Sequence, residues 1–462
     1  MRKAHPHKRR GGRRAARTSA HNTHTFRQLF AARFDRLKLR RIWRAHSTCR
    51  RKPRLAFDQL LLGLVYHVLM GTGTLQEHIH ELTGRSLSAS ALSQRRQRLS
   101  WAIFEEVMAL GLQRRADPKQ HPQAFYQGLR LVGLDGTRAA LRNTPAILRG
   151  FHKAVSRRMK AAFAQVQAVV LLEVALHNPI AAAIGRKGES EMALALGLVS
   201  RLLAGDLLLA DRLYGVQKVM ALLLERTRAV GAHFLVRVRR NLKARVQQVL
   251  ADGSALVELI WRDEAGVKHT LEVREITAVV RGRGGKRTRV RLWTSLLDAK
   301  RYPSRELVAL YARRWEVEIT VQELKVELRG GDLLSSYTPE TAAQEIAALL
   351  LALAVLVEVR CEAASRGAVD VLRVSFRRVL RLVRALWTLL EIGEGIHTAR
   401  QVRALVARTL ARATALVTPV RRARSCPRAV RQPVGSWPRL LRRREWKGEI
   451  RYEVIAHRKP KS

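Results

Sequence analysis

The stretch YARRWEVEITVQELK, Tyr311 to Lys325, predicts one helix whose sides differ in character. At about 100° per residue, four polar side chains fall within roughly 60° of one another, and we call them the polar stripe: Tyr311, Arg314, Glu318 and Lys325. The adjoining side is apolar and is expected to pack on a core: Leu310, Val317, Val321, Leu324 and Leu328. The helix therefore carries a carboxylate at the border of a predicted site. A solvated face with an intrahelical pair between Glu318 and Arg314 is the alternative.

Two acidic residues upstream follow apolar runs that are typical of buried strands. GLRLVGLDGTRAAL carries Asp135, and DLLLADRLYG carries Asp211 where its apolar run ends. Carboxylates at strand ends are where α/β proteins often place their chemistry. Each acid also has a plainer interpretation, with Asp135 as a turn former and Asp211 as the surface partner of Arg212.

The surrounding pattern predicts an α/β core. GLRLVGLDGTRAAL, AAFAQVQAVVLLEVAL and PIAAAIGRK predict adjacent strands, followed by a helix from Glu189 to about Leu203 and a buried strand from Leu207 to Ala210. Residues 233–300 contain further strand-like runs separated by turn residues. We therefore expect an antiparallel β module inserted before the Tyr311 helix.

A helical region precedes the core. The segments AFDQLLLGLVYHVLM, TLQEHIHELTG and SASALSQRRQRL predict helices, and the last two have the outline of a helix-turn-helix. The final segment carries residue types that contact base edges and phosphates: Gln94, Arg95, Arg96 and Arg98. Plain helical packing is the alternative for this segment.

Composition and pattern divide the chain into segments. We expect a basic disordered arm (1–23), a helical DNA-binding domain (24–120), the first part of the core (121–232), a β-rich insertion (233–300), a core segment with the Tyr311 helix (301–340), a helical C-terminal region (341–416) and a basic tail (417–462).

The charge balance indicates a polyanionic partner. The 462 residues include 87 Lys and Arg against 37 Asp and Glu, a formal net charge of +50 that is spread along the chain. Ribosomal and membrane-surface proteins can be as basic, but they are usually smaller or carry amphipathic basic helices and lipidation signals. Double-stranded DNA is therefore the expected partner.

Other classes of protein are disfavoured. The three cysteines, Cys49, Cys361 and Cys426, have neither disulfide-like nor zinc-like spacing. No long apolar segment follows the basic N-terminus, and the longest apolar run, Ile346 to Val357, is too short to span a bilayer. We expect a cytoplasmic protein associated with the nucleoid and no membrane partner.

The three acids suggest metal-dependent phosphodiester chemistry. Such chemistry uses two Mg²⁺ ions about 3.5–4 Å apart, which hard oxygen ligands hold. Asp135, Asp211 and Glu318 are the candidate ligands, and Mn²⁺ is an expected substitute for Mg²⁺. Clustered carboxylates would also keep the site anionic within a cationic chain.

Together these motifs resemble the DDE transposases of bacterial insertion sequences, specifically the insertion sequence four family. That family has a signature of Tyr, two residues, Arg, three residues, Glu, six residues and Lys, and the polar stripe matches it at every position. LDGT around Asp135, LLLADRLYG around Asp211 and RWEVE before Ile319 also look like family blocks. The resemblance covers roughly residues 55 to 360.

The resemblance implies an RNase H-like catalytic core with a β-rich insertion and Mg²⁺-dependent cut-and-paste transposition. It implies that Asp135, Asp211 and Glu318 are the catalytic metal ligands. By the same resemblance, three residues would contact phosphates at the transposon end: Tyr311, Arg314 and Lys325. The expected assembly is a homodimer that pairs the two terminal inverted repeats and acts on target DNA.

The roles of several further residues remain open. Family members can proceed through a hairpin, with an insertion tryptophan that holds a flipped base; Trp261 or Trp293 are candidates, although a buried strand tryptophan is the commoner case. Glu316 and Glu323 share the Tyr311 helix but point roughly 150–170° away from the stripe centre, so Glu318 is the preferred ligand. Tyr214 is a candidate for stacking near DNA.

Three hypotheses follow. The leading one is a transposase that cuts the element ends and joins the 3′-hydroxyl to target DNA. The second is a non-catalytic derivative that acts as a DNA-binding repressor, and the third is a plain Mg²⁺ nuclease. Inverted repeats flanking the coding frame, or a strand-joined product, would favour the first.

Overall fold

The computed structural model describes residues 25–47, 53–155, 160–239, 241–262, 265–281, 287–330 and 333–420. The predicted arm, residues 1–23, lies outside these ranges, as does the predicted tail beyond residue 420.

The N-terminal part of the protein is helical, as expected. Its helices are α1 (Phe26–Arg33), α2 (Arg36–His46), α3 (Phe57–Met70), α4 (Leu75–Thr83), α5 (Ala89–Gln97) and α6 (Trp101–Gly111). Helix α4 ends at Gly84, whose φ of 64° is the left-handed conformation that glycine adopts without strain. Helix α5 begins after Ser88, whose hydroxyl accepts a hydrogen bond from the Ala91 N–H. These caps produce the predicted helix–turn–helix outline.

A single large sheet forms the centre of the molecule. Its core elements are β1 (Phe125–Tyr126), β2 (Leu129–Leu141), α7 (Pro145–Gly150), β3 (His152–Val155), β4 (Lys160–Glu173), β5 (Asn178–Ile184), α8 (Glu191–Val199), β6 (Asp206–Ala210), α9 (Gln217–Val230) and β7 (His233–Arg237). Strand β2 pairs antiparallel with β4, and β4 pairs antiparallel with β5. The predicted adjacent strands are thus confirmed, and the fold is α/β.

The strands of the predicted insertion extend this same sheet. They are β8 (Arg245–Val249), β9 (Ala255–Arg262), β10 (Lys268–Arg281) and β11 (Arg287–Thr294). The order along the sheet is β3-β4-β2-β6-β7-β11-β10-β9-β8, with β1 and β12 (Leu333–Leu334) beside β2, and β5 beside β4. Strand β7 is parallel to β6 but antiparallel to β11. The strand at residues 233–237, predicted to open the insertion, therefore belongs to the core as well, because local strand signals do not reveal the pairing partner.

The two faces of the core sheet carry different helices. Val132 and Leu134 of β2 pack in one apolar cluster with residues of α8 and α9. Leu131 packs in another with Val317, and a Cβ on Gly133 would lie 2.4 Å from the Val317 side chain. Side chains alternate along a strand, so odd-numbered residues of β2 face the Tyr311 segment. Asp135 shares that face.

The Tyr311 segment is helical throughout, but its pitch changes three times. It consists of α10 (Ser304–Tyr311), a 3₁₀ turn (Ala312–Arg314), α11 (Trp315–Gln322) and a π-helical stretch (Glu323–Leu328). Of the residues predicted to face the core, Val321 is half-buried and the others are buried: Leu310, Val317, Leu324 and Leu328. The prediction of one uniform helix was wrong in this respect, because the pattern was projected at a constant rotation per residue. We call residues 304–328 the catalytic segment, after the role that the sequence resemblance implies for Glu318.

A long central helix joins the N- and C-terminal parts. The C-terminal helices are α12 (Pro339–Arg366), α13 (Phe376–Ile392) and α14 (Ala399–Thr414). Helix α12 is long and apolar enough to cross a membrane, but 89% of its most apolar window is buried inside the protein. It packs with the N-terminal helices and α13 in one large apolar cluster. This burial is typical of a core helix.

Candidate active site

Asp135 lies on β2, and Asp211 directly follows the neighbouring parallel strand β6. Leu134 of β2 is in register with Ala210 of β6, and each aspartate is the next residue along its chain. Parallel strands are about 4.8 Å apart, so the register brings the two carboxylate-bearing positions side by side. Strand β6 ends at Ala210, whereas β2 continues to Leu141. The pair therefore lies at an open edge of the parallel pairing.

The Asp135 carboxylate is bonded to the backbone of its own strand. Its Oδ1 accepts a hydrogen bond of 2.9 Å from the Gly136 N–H. Burial raises the pKa of Asp135 to about 6; Arg314 opposes the rise, and the carboxylates of Glu191 and Glu318 add to it. Asp135 thus shares its electrostatic environment with the catalytic segment.

Glu318 forms an ion pair within the polar stripe. Arg314 Nη2 lies 2.8 Å from Glu318 Oε1, the intrahelical pair that was weighed from the sequence. Glu318 is about one-third exposed, with 32% of its side chain accessible, whereas Arg314 is buried. Burial alone would lower the pKa of Arg314, but Tyr311, Asp211 and Glu318 outweigh it and raise the pKa. The arginine therefore stays cationic and interacts electrostatically with all three predicted acids.

The other two stripe residues lie beside β6 and β2. The Tyr311 hydroxyl donates a hydrogen bond of 3.2 Å to the carbonyl of Ala210, the residue before Asp211. Lys325 lines a small, mostly apolar cavity together with Thr137, two residues after Asp135. The polar stripe is thus distributed along β6 and β2 despite the changes of pitch.

Sequence reasoning missed a further acid, Glu191, at the start of α8. Its carboxylate accepts hydrogen bonds of 3.2 Å from the Tyr214 hydroxyl and from Gln167 Nε2. It also lies against Gly136, since a Cβ at that glycine would be 2.1 Å from Glu191 Cδ. The carboxylate thus fills the space that the glycine leaves next to Asp135. The acidic helix start was visible in the sequence, but its contact with Gly136 was not.

The predicted ligands are neighbours, but their carboxylates do not converge. Across the described ranges, no group of three or more His, Cys, Asp and Glu side chains is arranged to hold a metal ion. Glu318 is turned toward Arg314 instead. The structure thus places an arginine among the predicted ligands, where its charge balances the acids.

Comparison with known proteins agrees with these features. Residues 128–355, which contain Asp135, Asp211 and Glu318, match the protein family described as "Transposase DDE domain". Over 316 residues the chain is 28% identical to the transposase InsG for insertion sequence element IS4 of Escherichia coli (strain K12). The aligned region covers 65% of this chain and 69% of that protein. The chain belongs to the DDE transposases of the insertion sequence four family.

A solved structure shows a weaker likeness to this transposase. It is the cryo-EM structure of the piggyBac transposase synaptic complex with hairpin DNA, with a TM-score of 0.44 and 11% sequence identity. The likeness covers 84% of this chain and 86% of the piggyBac chain.

Two of the three aromatic side chains of the transposase that were candidates for DNA contact are buried. Trp293 is fully buried and its indole N–H donates a hydrogen bond of 2.8 Å to Glu275, so it is not free to hold a flipped base. Trp261 is half-buried and stacks on His269 with ring centroids 4.9 Å apart. Tyr214, a candidate for stacking on DNA, is buried against Glu191. These burials correct the predictions for Trp293 and Tyr214.

The predicted DNA-reading residues in and directly after α5 divide into two groups. Gln94 and Arg98 are exposed, whereas Arg95 and Arg96 are half-buried. Arg96 Nε donates a hydrogen bond of 3.0 Å to Gln344 Oε1, and Gln344 Nε2 donates one of 2.7 Å to the Arg96 carbonyl. Arg96 therefore attaches α5 to α12 in the transposase, a contact that spans 248 residues of sequence.

Proposed function

We propose that this transposase binds the terminal inverted repeats of its element, hydrolyses a DNA strand there and joins the freed 3′-hydroxyl to target DNA. Asp135, Asp211 and Glu318 would be the catalytic residues. The observation that carries the proposal is the parallel register that places the two aspartates side by side, with the Glu318 side of the catalytic segment facing β2.

Asp135, Asp211 and Glu318 match a pair of Mg²⁺ ions, or Mn²⁺ as a substitute, in the type of their ligand atoms, although their carboxylates do not converge in this structure. The predicted ligands offer the carboxylate oxygens that hard divalent cations prefer. Arg314 lies among them, which is consistent with a site that needs positive charge to balance its acids. When bound, the metal ions would activate the attacking oxygen and stabilise the leaving oxygen.

The protein's own cations would position the DNA. Arg314 remains protonated, and within the described residues its buried Nε has no hydrogen-bond partner. The positive charge of Arg314 would attract a DNA phosphate, because guanidinium groups bind phosphate oxygens. Tyr311, whose hydroxyl is bonded to Ala210, would hold the catalytic segment against β6 and contact the same phosphate region. Lys325 would contact DNA phosphates further along the catalytic segment.

The proposed substrate and fold agree with the rest of the chain. A net charge of +50 favours double-stranded DNA as the partner. The order of antiparallel β5, β4 and β2 followed by parallel β6 and β7 supports an RNase H-like core. We expect a homodimer that pairs two element ends.

The test uses a DNA fragment that carries the terminal repeat flanking the coding frame. In Mg²⁺ the wild type should cut this fragment and join it to a target plasmid, and EDTA should stop both steps. Asp135→Asn and Asp211→Asn should bind the fragment equally well and do neither. Binding without cutting by the wild type would instead indicate a repressor, and cutting without joining would indicate a nuclease.

A further inference from the structure

A buried histidine bridges two carboxylates of the catalytic segment. His177 occupies the turn between β4 and β5 and is fully buried. Its Nδ1 lies 2.6 Å from Glu323 Oε2, and its Nε2 lies 2.9 Å from Glu316 Oε2. Donation from both ring nitrogens is the arrangement of a protonated imidazolium. The imidazole is therefore enclosed by two anionic partners that belong to one helical segment.

The two carboxylates flank Glu318. Glu316 lies two residues before it, in the first turn of α11, and Glu323 lies five residues after it, at the first π-helical residue. Two attachment points about two turns apart restrict both the rotation of a helix and its movement along its axis. His177 thus fixes the part of the segment from which Glu318 projects.

The cluster extends to the central helix. Arg360 of α12 is buried, and its Nη1 lies 3.5 Å from Glu323 Oε1. Its Nε donates a hydrogen bond of 2.8 Å to the carbonyl of Val374. The sheet, the catalytic segment and α12 therefore meet at one charge-balanced cluster of His177, Arg360, Glu316 and Glu323.

The backbone at His177 is shaped for this contact. Its φ of 58° lies in the left-handed region, which is uncommon for residues other than glycine but favoured by Asn, Asp and His. Burial of charged groups is costly and contributes to specific geometry more readily than to stability. A buried histidine with a left-handed backbone and two hydrogen-bonded carboxylates is thus better suited to fixing the position of its partners than to adding stability.

We infer that His177 is a positioning residue: by bridging Glu316 and Glu323 it holds the catalytic segment so that Glu318 faces the strands of Asp135 and Asp211. The inference rests on the proposed function, since Glu318 matters only if the three acids act together. It assigns to His177 no contact with DNA or metal.

The test compares two variants with the wild type. His177→Asn keeps a residue that tolerates the left-handed backbone, but its shorter amide cannot reach both carboxylates. His177→Asn combined with Glu316→Gln removes one positive and one negative charge, which leaves Glu323 paired with Arg360. The single variant lacks both the bridge and the charge balance, whereas the double variant lacks only the bridge.

Three quantities separate positioning from plain stability. Melting temperature should fall in His177→Asn and recover in part in the double variant. Strand cleavage at saturating DNA should fall between about 10- and 100-fold in both variants, because small displacements of a catalytic group have effects of this size. Titration calorimetry without DNA measures the binding of Mn²⁺, which should weaken in both variants. The Kd for binding of the element end should stay the same.

The outcomes are distinct. Recovery of cleavage and Mn²⁺ binding together with stability in the double variant would show that the cluster acts on stability alone and would overturn the inference. So would a folded His177→Asn protein that binds Mn²⁺ and cuts like the wild type. A wild type that neither binds Mn²⁺ nor cuts DNA would overturn the proposed function, and this inference with it.

Discussion

Asp135 and Asp211 are adjacent across two parallel strands, each directly after the register pair of Leu134 and Ala210. The relationship depends on backbone pairing and not on any bond between the two carboxylates. Their spacing is therefore as rigid as the sheet, whereas the Glu318 carboxylate depends on the catalytic segment and its partner Arg314. Changes to the sheet and changes to the segment should have separable effects.

Gly136→Ala should disturb the aspartate pair. The added Cβ would lie 2.1 Å from Glu191 Cδ, so either Glu191 or the strand beside Asp135 must shift. We expect a loss of about 1–3 kcal/mol in the free energy of unfolding, measured with urea, and a marked fall in DNA cleavage.

Gly197→Ala is the matched control. It lies within α8, and a Cβ there meets no atom of the described structure within 4 Å. This change should add up to about 1 kcal/mol of stability through helix propensity and leave cleavage intact. Equal behaviour of the two glycine variants would contradict the close packing of Glu191 on Gly136.

The α5 arginines should behave differently from one another. Arg96→Ala removes the bonds to Gln344 and should lower the free energy of unfolding by about 1–3 kcal/mol. Arg98→Ala changes an exposed side chain and should leave stability within about 0.5 kcal/mol of the wild type. If Arg98 binds a phosphate, its loss should also reduce the slope of log K against log salt for DNA binding by about 1. An Arg96→Ala protein with normal stability would contradict its attachment to α12.

Asp252 should stabilise the start of the catalytic segment in a pH-dependent way. Its carboxylate pairs with buried Arg274 and accepts a hydrogen bond of 2.8 Å from the Ser304 N–H at the start of α10. Burial alone would raise its pKa, but these contacts and those with Ser254 lower the pKa from 3.8 to about 2. A lowered carboxyl pKa gives stability that is present above about pH 4 and is lost as pH falls toward 2.

Unfolding of the wild type and Asp252→Asn by urea at several pH values measures this contribution. The variant should be less stable by about 2 kcal/mol at pH 7, and the difference should shrink below pH 4. A difference that grew as the pH fell would have the wrong sign for a carboxylate with a lowered pKa.

The sequence was informative where local chemistry decides structure. The apolar runs that carry Asp135 and Asp211 predicted strands, and the segments TLQEHIHELTG and SASALSQRRQRL predicted the helix-turn-helix outline of α4 and α5. The helical rotation of the catalytic segment also separated Glu316 and Glu323 from Glu318, and both bind His177 in the structure. These features depend on neighbouring residues and on the periods of helices and strands.

Long-range contacts were not accessible in the same way. His177 in its turn resembles any loop histidine, and its partners lie more than 130 residues later. The attachment of Arg96 to Gln344 and the pairing of β7 with both β6 and β11 are equally remote in sequence. Such contacts depend on tertiary packing, which a single sequence pattern does not specify.

The most direct measurement is strand cleavage and joining by Glu318→Gln on the element's own end in Mg²⁺. The substitution keeps the shape of the side chain and removes its charge. Glu327→Gln is the control, since Glu327 lies on the same segment and its carboxylate is 3.5 Å from exposed Arg377. We predict that Glu318→Gln binds the end like the wild type but neither cuts nor joins, while Glu327→Gln does both. Cutting by Glu318→Gln at the wild-type rate would contradict the assignment of Glu318 as the third catalytic acid.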